Sequence, residues 1–195
     1  MGYSLDPIAS GCYEGTFCLI NKFGIKDEEI LKELEASVTL AKISRIENDL
    51  VEFPITPEGY KSIHRFIFED IYDWAGEYRK VNIGKKGTKF ADHESIERLM
   101  NSCFERLRSF DNFKESSRTD YVKRIADLYQ TLNMIHPFRE GNGRTERVFI
   151  SRFVRLQDHY ADFSMVDEDE LMISTIQAAG GVLDNLERVI SQIII

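Results

Sequence analysis

Apolar residues recur along most of this chain at spacings of three and four, the period of a helix with one buried face. From Asp27, which can cap a helix, Ile30, Leu31, Leu34, Val38, Ala41 and Ile46 keep that period and predict an amphipathic helix ending near Asn48. Thr56 before Pro57 pairs a cap with a proline at the first helical position, opening a helix that buries Ile63, Ile67, Phe68, Ile71 and Trp74 and stops at Gly76. Asp92 caps a helix carrying Ile96, Leu99, Met100, Cys103 and Leu107. Ser117 with Asp120 resembles a capping box for one carrying Ile125, Leu128, Leu132 and Ile135. A further helix is expected from about Arg144 through Phe149, Phe153 and Leu156. Two more are expected over 169–179 and 184–195, separated by Gly180 and Gly181.

Two stretches break the period. Up to about Gly24, Gly, Tyr, Phe and Cys mix without a repeat, which predicts an irregular arm packed on the domain, spanning 1–26. Val81, Asn82, Ile83, Gly84, Lys85, Lys86, Gly87, Thr88, Lys89 and Phe90 place β-branched residues around a Gly-Lys-Lys-Gly centre, the pattern of a short hairpin and the only sheet element expected. The fold class is therefore mainly α, a helical bundle with one short β-hairpin. At 195 residues the chain can bury one good core and is short for two, so a single domain is expected.

Composition narrows the function classes. The 33 acidic and 25 basic residues give a formal net charge of −8, a field that repels nucleic acid and anionic membranes. A helix-turn-helix DNA binder would need a basic recognition helix, and none is present. Cys12, Cys18 and Cys103 form an odd set without a CxxC pair, which argues against a disulfide framework or a zinc site and for a reducing cytoplasm. Met1 to Ser10 lacks the basic and apolar regions of a secretion signal, and no apolar run is long enough to cross a bilayer.

The chemistry concentrates in His136-Pro137-Phe138-Arg139-Glu140-Gly141-Asn142-Gly143-Arg144-Thr145-Glu146-Arg147. Pro137 disfavours helical geometry at His136, so the preceding helix should end there and present the imidazole at its edge. Gly141 and Gly143 flank Asn142 in a turn without Cβ atoms, whose N–H groups can cradle phosphate oxygens at the head of the next helix. Arg144 and Arg147 lie three apart in that helix's first turn, where cations are disfavoured by roughly 0.3–1 kcal/mol each unless an anion binds between them. Glu140 would repel phosphate unless a cation intervenes, and Mg²⁺ is the natural candidate, commonly held by one or two carboxylates plus substrate phosphates. His136 is suited by its ordinary pKa to accept a proton near neutrality. Arg139 and Glu146 are read as solvated.

This stretch resembles the signature of the Fic family, in which His, Phe, Asp or Glu, Gly, Asn, Gly, Arg and Arg stand at fixed spacing; His136, Phe138, Glu140, Gly141, Asn142, Gly143, Arg144 and Arg147 meet every one. A chance match in a chain of this length is on the order of 10⁻⁸, which sets accident aside. The similarity extends to 13–24, to 63–79 with its Asp73-Trp74-Ala75-Gly76 core, and to Phe90-Ala91. The resemblance implies a protein adenylyltransferase that moves AMP from ATP to a Tyr, Thr or Ser hydroxyl of a target protein. His136 would be the base and Glu140 would hold Mg²⁺. Asn142 would contact the α-phosphate, Gly141, Gly143, Arg144 and Arg147 the β and γ phosphates, and Phe138 would anchor the loop. The hairpin 81–90 would be a flap that aligns the target segment by strand addition.

Many members of that family are restrained by a helix bearing Ser or Thr, three residues, Glu, then Gly or Asn, whose glutamate pairs with the motif's second arginine. Glu47-Asn48 is the nearest candidate within the chain, yet Ile43 stands at the Ser/Thr position and Ser44 comes one residue late. Towards the C-terminus, Glu187 is preceded at four residues by Leu183 and followed by Arg188. A separate small inhibitory antitoxin is therefore expected ahead of a Glu47 brake. Two alternatives remain. A Doc-like kinase would pass on the γ-phosphate, although that branch carries lysine where Gly143 stands. A non-catalytic nucleotide-binding module would have no need of a histidine at 136.

Overall fold

The computed structural model describes residues 11–48, 51–85, 87–109 and 117–195. The Asp27 carboxylate accepts the main-chain N–H groups of Glu29 and Ile30 at 3.0 and 3.1 Å and starts α1, Glu28–Glu47, which Asn48 terminates. Thr56 caps α2, Pro57–Phe68, through Gly59 N at 3.0 Å. The hairpin pairs β1, Gly84–Lys85, with β2, Thr88–Lys89, antiparallel. Gly87 turns it with φ +83°, and Lys86 lies outside the described residues. Asp92 caps a short 3₁₀ turn, His93–Ser95, that leads into α3, Ile96–Ser109. Ser117 caps α4, Arg118–Ile135. Then come α5, Asn142–Arg155, α6, Glu168–Ala179, and α7, Asp184–Ile193.

Three expectations about these elements change. The face of α1 turned to the core is Leu31, Glu35, Thr39 and Ile46, whereas Ile30 is 56% exposed and Ala41 is also outside. Its apolar residues are too few to cover the seam, and two polar side chains fill it because they meet an arginine there. The second helix stops at Phe68, eight residues before Gly76. Beyond it the carbonyls of Glu69 and Ile71 accept from Lys22 Nζ and Lys22 N of the arm, at 2.6 and 2.8 Å, so the chain leaves the helical path in a series of turns. Helix α5 begins at Asn142 rather than Arg144, so the Gly-Asn-Gly turn is already its first turn.

Helix α4 is the central post, packed against α3, α5, α6 and α7, while α5 also lies on α1 and α2. Between them Tyr60, Phe104, Phe138 and Phe149 are essentially fully buried, with Tyr60 stacked on Phe138 at 5.7 Å and edge-on to Phe149 at 5.2 Å. Each such side chain contributes roughly 1.5–3 kcal/mol by leaving water. Within the arm, the Asn21 amide donates to the carbonyls of Leu19 and Ile25 at 2.9 and 2.7 Å and shapes the turn that presents Lys22 to Glu69 and Ile71. Among the described residues no helix is long and apolar enough to cross a membrane, and Cys12, Cys18 and Cys103 are free thiols.

Arg79 joins the hairpin to the end of α4. Only 4% exposed, it donates to the carbonyls of His136, Val81, Ala91 and Ile135 at 2.8, 2.7, 2.5 and 3.2 Å, while its own N–H reaches Pro137 O at 2.9 Å. Truncating it would strand several buried acceptors, each of which costs about 1–3 kcal/mol. Arg79→Met is therefore expected to lower the unfolding free energy by roughly 2–4 kcal/mol in urea titration, and a loss under 0.5 kcal/mol would remove Arg79 from this role.

Candidate active site

The loop between α4 and α5 is shaped by its own side chains. His136 ends α4 with φ 47°, a left-handed turn that Pro137 enforces by disfavouring the α region before it. Its Nδ1 lies 3.1 Å from the carbonyl of Asn133, so Nδ1 carries the proton and the lone pair sits on Nε2. Phe90, at the end of the hairpin, stacks on the imidazole at 3.7 Å and 3°. Phe138 turns inward and is fully buried. The Asn142 amide then closes the loop: its Oδ1 accepts Phe138 N–H and its Nδ2 donates to Phe138 O, both at 2.8 Å.

That closure requires glycine at 141. Its φ is +77°, and a Cβ there would stand 2.2 Å from the Phe68 ring. Helix α5 consequently starts with no side-chain cap and no acidic residue in its first turn, whereas α1, α2, α3, α4, α6 and α7 all carry one there. Its first main-chain N–H groups thus face the cavity as donors for an anion. Gly141 N–H itself is bonded to Glu140 Oε1 at 2.9 Å. A Cβ at Gly143 would meet only Arg147 Nη1, at 3.6 Å, so space lies open beside that guanidinium.

These groups line a cavity of about 320 Å³ together with Thr88 and Phe90 of the hairpin, Tyr129 and Asn133 of α4, and Leu171, Met172, Thr175 and Ile176 of α6. The structure thus brings His136, Glu140, Gly141, Gly143, Arg144 and Arg147 to one cavity, with Asn142 and Phe138 behind them as its frame. Of the hairpin residues, Thr88 and Phe90 reach the cavity, Ile83 is buried, and Asn82 Oδ1 accepts His93 N–H at 2.8 Å. Arg147 pairs with Glu168 of α6 at 3.6 Å. Glu47 is exposed at the end of α1, and its carbonyl accepts from Arg155. Glu47 and Arg147 nevertheless line one groove of about 560 Å³ on the other side of Arg144.

Glu146 departs from the expectation of a solvated residue: it is 2% exposed among tyrosines and Cys103. Desolvation raises its carboxyl well above the usual range, Arg147 alone opposing the shift. Burial there disfavours a full negative charge beneath the anion site. Arg139 is half-buried. The α6 wall also went unread in the sequence, because its apolar face is indistinguishable from an ordinary core face.

His64 of α2 is a further positioning residue that the motif does not contain. Fully buried, it accepts Gly76 N–H on Nδ1 at 2.8 Å, so Nε2–H donates to Glu140 O at 3.0 Å, and its ring lies on Phe138 at 3.8 Å. Burial pushes its pKa down to about 3, despite the bond to Glu140 O and with help from Arg144. The folded state therefore stays unprotonated where the unfolded chain, near 6.5, takes up a proton. This contribution to stability is whole above pH 6.5 and is lost as pH falls towards 3. Between pH 6 and 5, the stability of the wild type should fall more steeply than that of His64→Phe by close to one proton, roughly 1.4 kcal/mol per pH unit. Equal slopes in denaturant titrations would contradict a buried neutral His64.

A model of the Fic/DOC family matches residues 54–154. Over 190 residues the chain is 33% identical to a probable protein adenylyltransferase, y4lH, of Sinorhizobium fredii, covering 97% of this chain and 96% of that one. It is 29% identical to the protein adenylyltransferase VbhT of Bartonella schoenbuchensis over 90% of this chain, but spans only 37% of VbhT. The fold matches the BepC protein of Bartonella tribocorum, solved with bound AMPPNP, at a TM-score of 0.88 and 24% identity, covering 95% of this chain and 96% of that one.

Proposed function

The chain belongs to the Fic/DOC family, and from that premise we propose that it is a protein adenylyltransferase, transferring AMP from ATP to a hydroxyl side chain of a target protein. The observation that carries the reading is an uncapped helix N-terminus flanked by Arg144 and Arg147, with His136, its Nδ1 bonded to Asn133 O, lining the same cavity. ATP lies with its phosphates against the first turn of α5 and its base and ribose towards Leu171, Met172, Thr175 and Ile176 of α6. The Asn142 amide is committed to Phe138, so its phosphate contact is through the main chain. The ATP analogue in BepC supports ATP as substrate.

In the transfer, the target hydroxyl oxygen bonds to the α-phosphorus, its proton passes to His136 Nε2, the bond to the β-phosphate bridging oxygen breaks, and pyrophosphate leaves. The hairpin 81–90 aligns the target segment, with Phe90 holding the imidazole in place. No cluster of three or more acidic, histidine or cysteine side chains suited to a metal exists among the described residues. Glu140, with its carboxylate on the cavity, fits Mg²⁺ only as one ligand beside substrate phosphates. When bound, the ion neutralises phosphate charge and orients the leaving group. Gly143 leaves open the space that a lysine would fill, which favours AMP transfer over phosphoryl transfer.

The groove beside Arg147 fits a separate inhibitory protein. A partner helix lying between α1 and α5 would bring an acidic side chain to Arg147, whose ion-pair partner Glu168 is 88% exposed and therefore screened. Glu47 stands at the rim of the same groove without an ion pair to Arg147 among the described residues.

Two outcomes are expected of protein purified without partners and given α-labelled ATP. His136→Ala should lose 10²–10⁴-fold or more in labelling of target, the usual worth of a general base, while binding ATP with little change; near-normal turnover at pH 7 would defeat the assignment. Glu47→Gly should label within about twofold of wild type, because a solvated carboxylate that makes no pair contributes little. A tenfold rise from a silent wild type would make Glu47 the brake instead.

A further inference from the structure

Arg144 and Arg147 stand alike in the sequence but not in their surroundings. Arg144 makes an ion pair with Glu35 of α1, whose side chain is only 11% exposed, and its other terminal nitrogen reaches Thr39 Oγ1 at 3.3 Å. The second oxygen of Glu35 accepts the Tyr72 hydroxyl at 2.5 Å. The guanidinium also lies over the Phe68 ring at 4.8 Å and within 3.8 Å of Glu140. Side chains from α1, α2 and the loop therefore hold it in one orientation. Arg147, by contrast, has an exposed partner at 3.6 Å.

A buried carboxylate in contact with a guanidinium is screened little by solvent, so the pair acts at a distance as a dipole with almost no net charge. An exposed pair is screened and leaves its arginine nearly a full positive charge.

We propose that Glu35 is a positioning and charge-compensating residue of the active site: it fixes Arg144 beside the anion turn and cancels its charge, so that Arg147 supplies most of the net attraction for the polyphosphate. The inference rests on the nucleotide reading above and adds to it a residue more than a hundred positions from the motif. The consequence for turnover is chemical. Binding that grips substrate and departing polyphosphate equally does not speed the reaction, and a compensated Arg144 keeps its hydrogen-bond geometry without that added grip.

The test measures the affinity of the full chain for an ATP analogue with a non-cleavable α–β bridge, in the presence of Mg²⁺. Four proteins are compared: wild type, Glu35→Gln, Arg144→Gln and the double variant. Glutamine at 35 can still accept from Arg144 and hydrogen-bond Tyr72, so it removes the charge and keeps the geometry. Glu35→Gln should therefore bind the analogue about three- to tenfold more tightly. Arg144→Gln strands Glu35 and should weaken binding by more than about tenfold, and adding Glu35→Gln should recover at least half of that loss on a logarithmic scale. A residue that merely holds the fold together would weaken binding when changed, never tighten it.

The proposal is overturned if Glu35→Gln binds as wild type or more weakly, or if the double variant is no better than Arg144→Gln. Should the buried carboxylate leave Arg144→Gln unfolded by circular dichroism, Glu35→Gln against wild type decides alone. Failure of wild type itself to bind the analogue would sink the nucleotide reading, and this inference with it.

Discussion

The two hydrogen bonds that close the Asn142 amide onto Phe138 set the geometry of everything around them. They hold the chain in a tight loop that can be entered only through a left-handed residue at 136 and left only through one at 141. The first places the imidazole at the end of α4. The second starts α5 without a side-chain cap, so that its leading N–H groups open onto the cavity. Burying Phe138 between Tyr60 and His64 ties this loop to the middle of the core. A helix start that would ordinarily cost stability is thereby maintained by packing behind it, as is common where strain serves a site.

The charges around the loop are arranged in depth. Glu146 is buried, which disfavours its charged form, Arg144 is matched by Glu35, and Arg147 faces a screened carboxylate on α6. His64 stays neutral under the loop and donates to Glu140 O, fixing the peptide that carries the carboxylate. On an acidic chain of net charge −8, attraction for a polyphosphate must be local, and this layout makes it so.

Much of this was legible in the sequence for identifiable reasons. Asp27, Thr56 and Ser117 announce their helices because capping is a local hydrogen bond between near neighbours, and Gly87 announces the hairpin turn because it supplies a positive φ. The run from His136 to Arg147 is likewise contiguous, so its chemistry could be read in one place. Glu35, His64 and Arg79 could not, since each acts through a partner far along the chain and looks in isolation like an ordinary polar residue. The early end of α2 was hidden because the carbonyls just beyond it, of Glu69 and Ile71, are taken by Lys22 of the arm, a tertiary contact that overrides an uninterrupted apolar pattern.

The most direct test of AMP transfer follows the two ends of the triphosphate separately. The purified chain is incubated with Mg²⁺ and lysate, and ATP labelled at the α-phosphate or at the γ-phosphate is offered in parallel reactions. Protein bands retaining α-label, with γ-label found only in released pyrophosphate, are the predicted result. Retention of γ-label on a target that carries no α-label would show phosphoryl transfer from the same cavity and contradict the account.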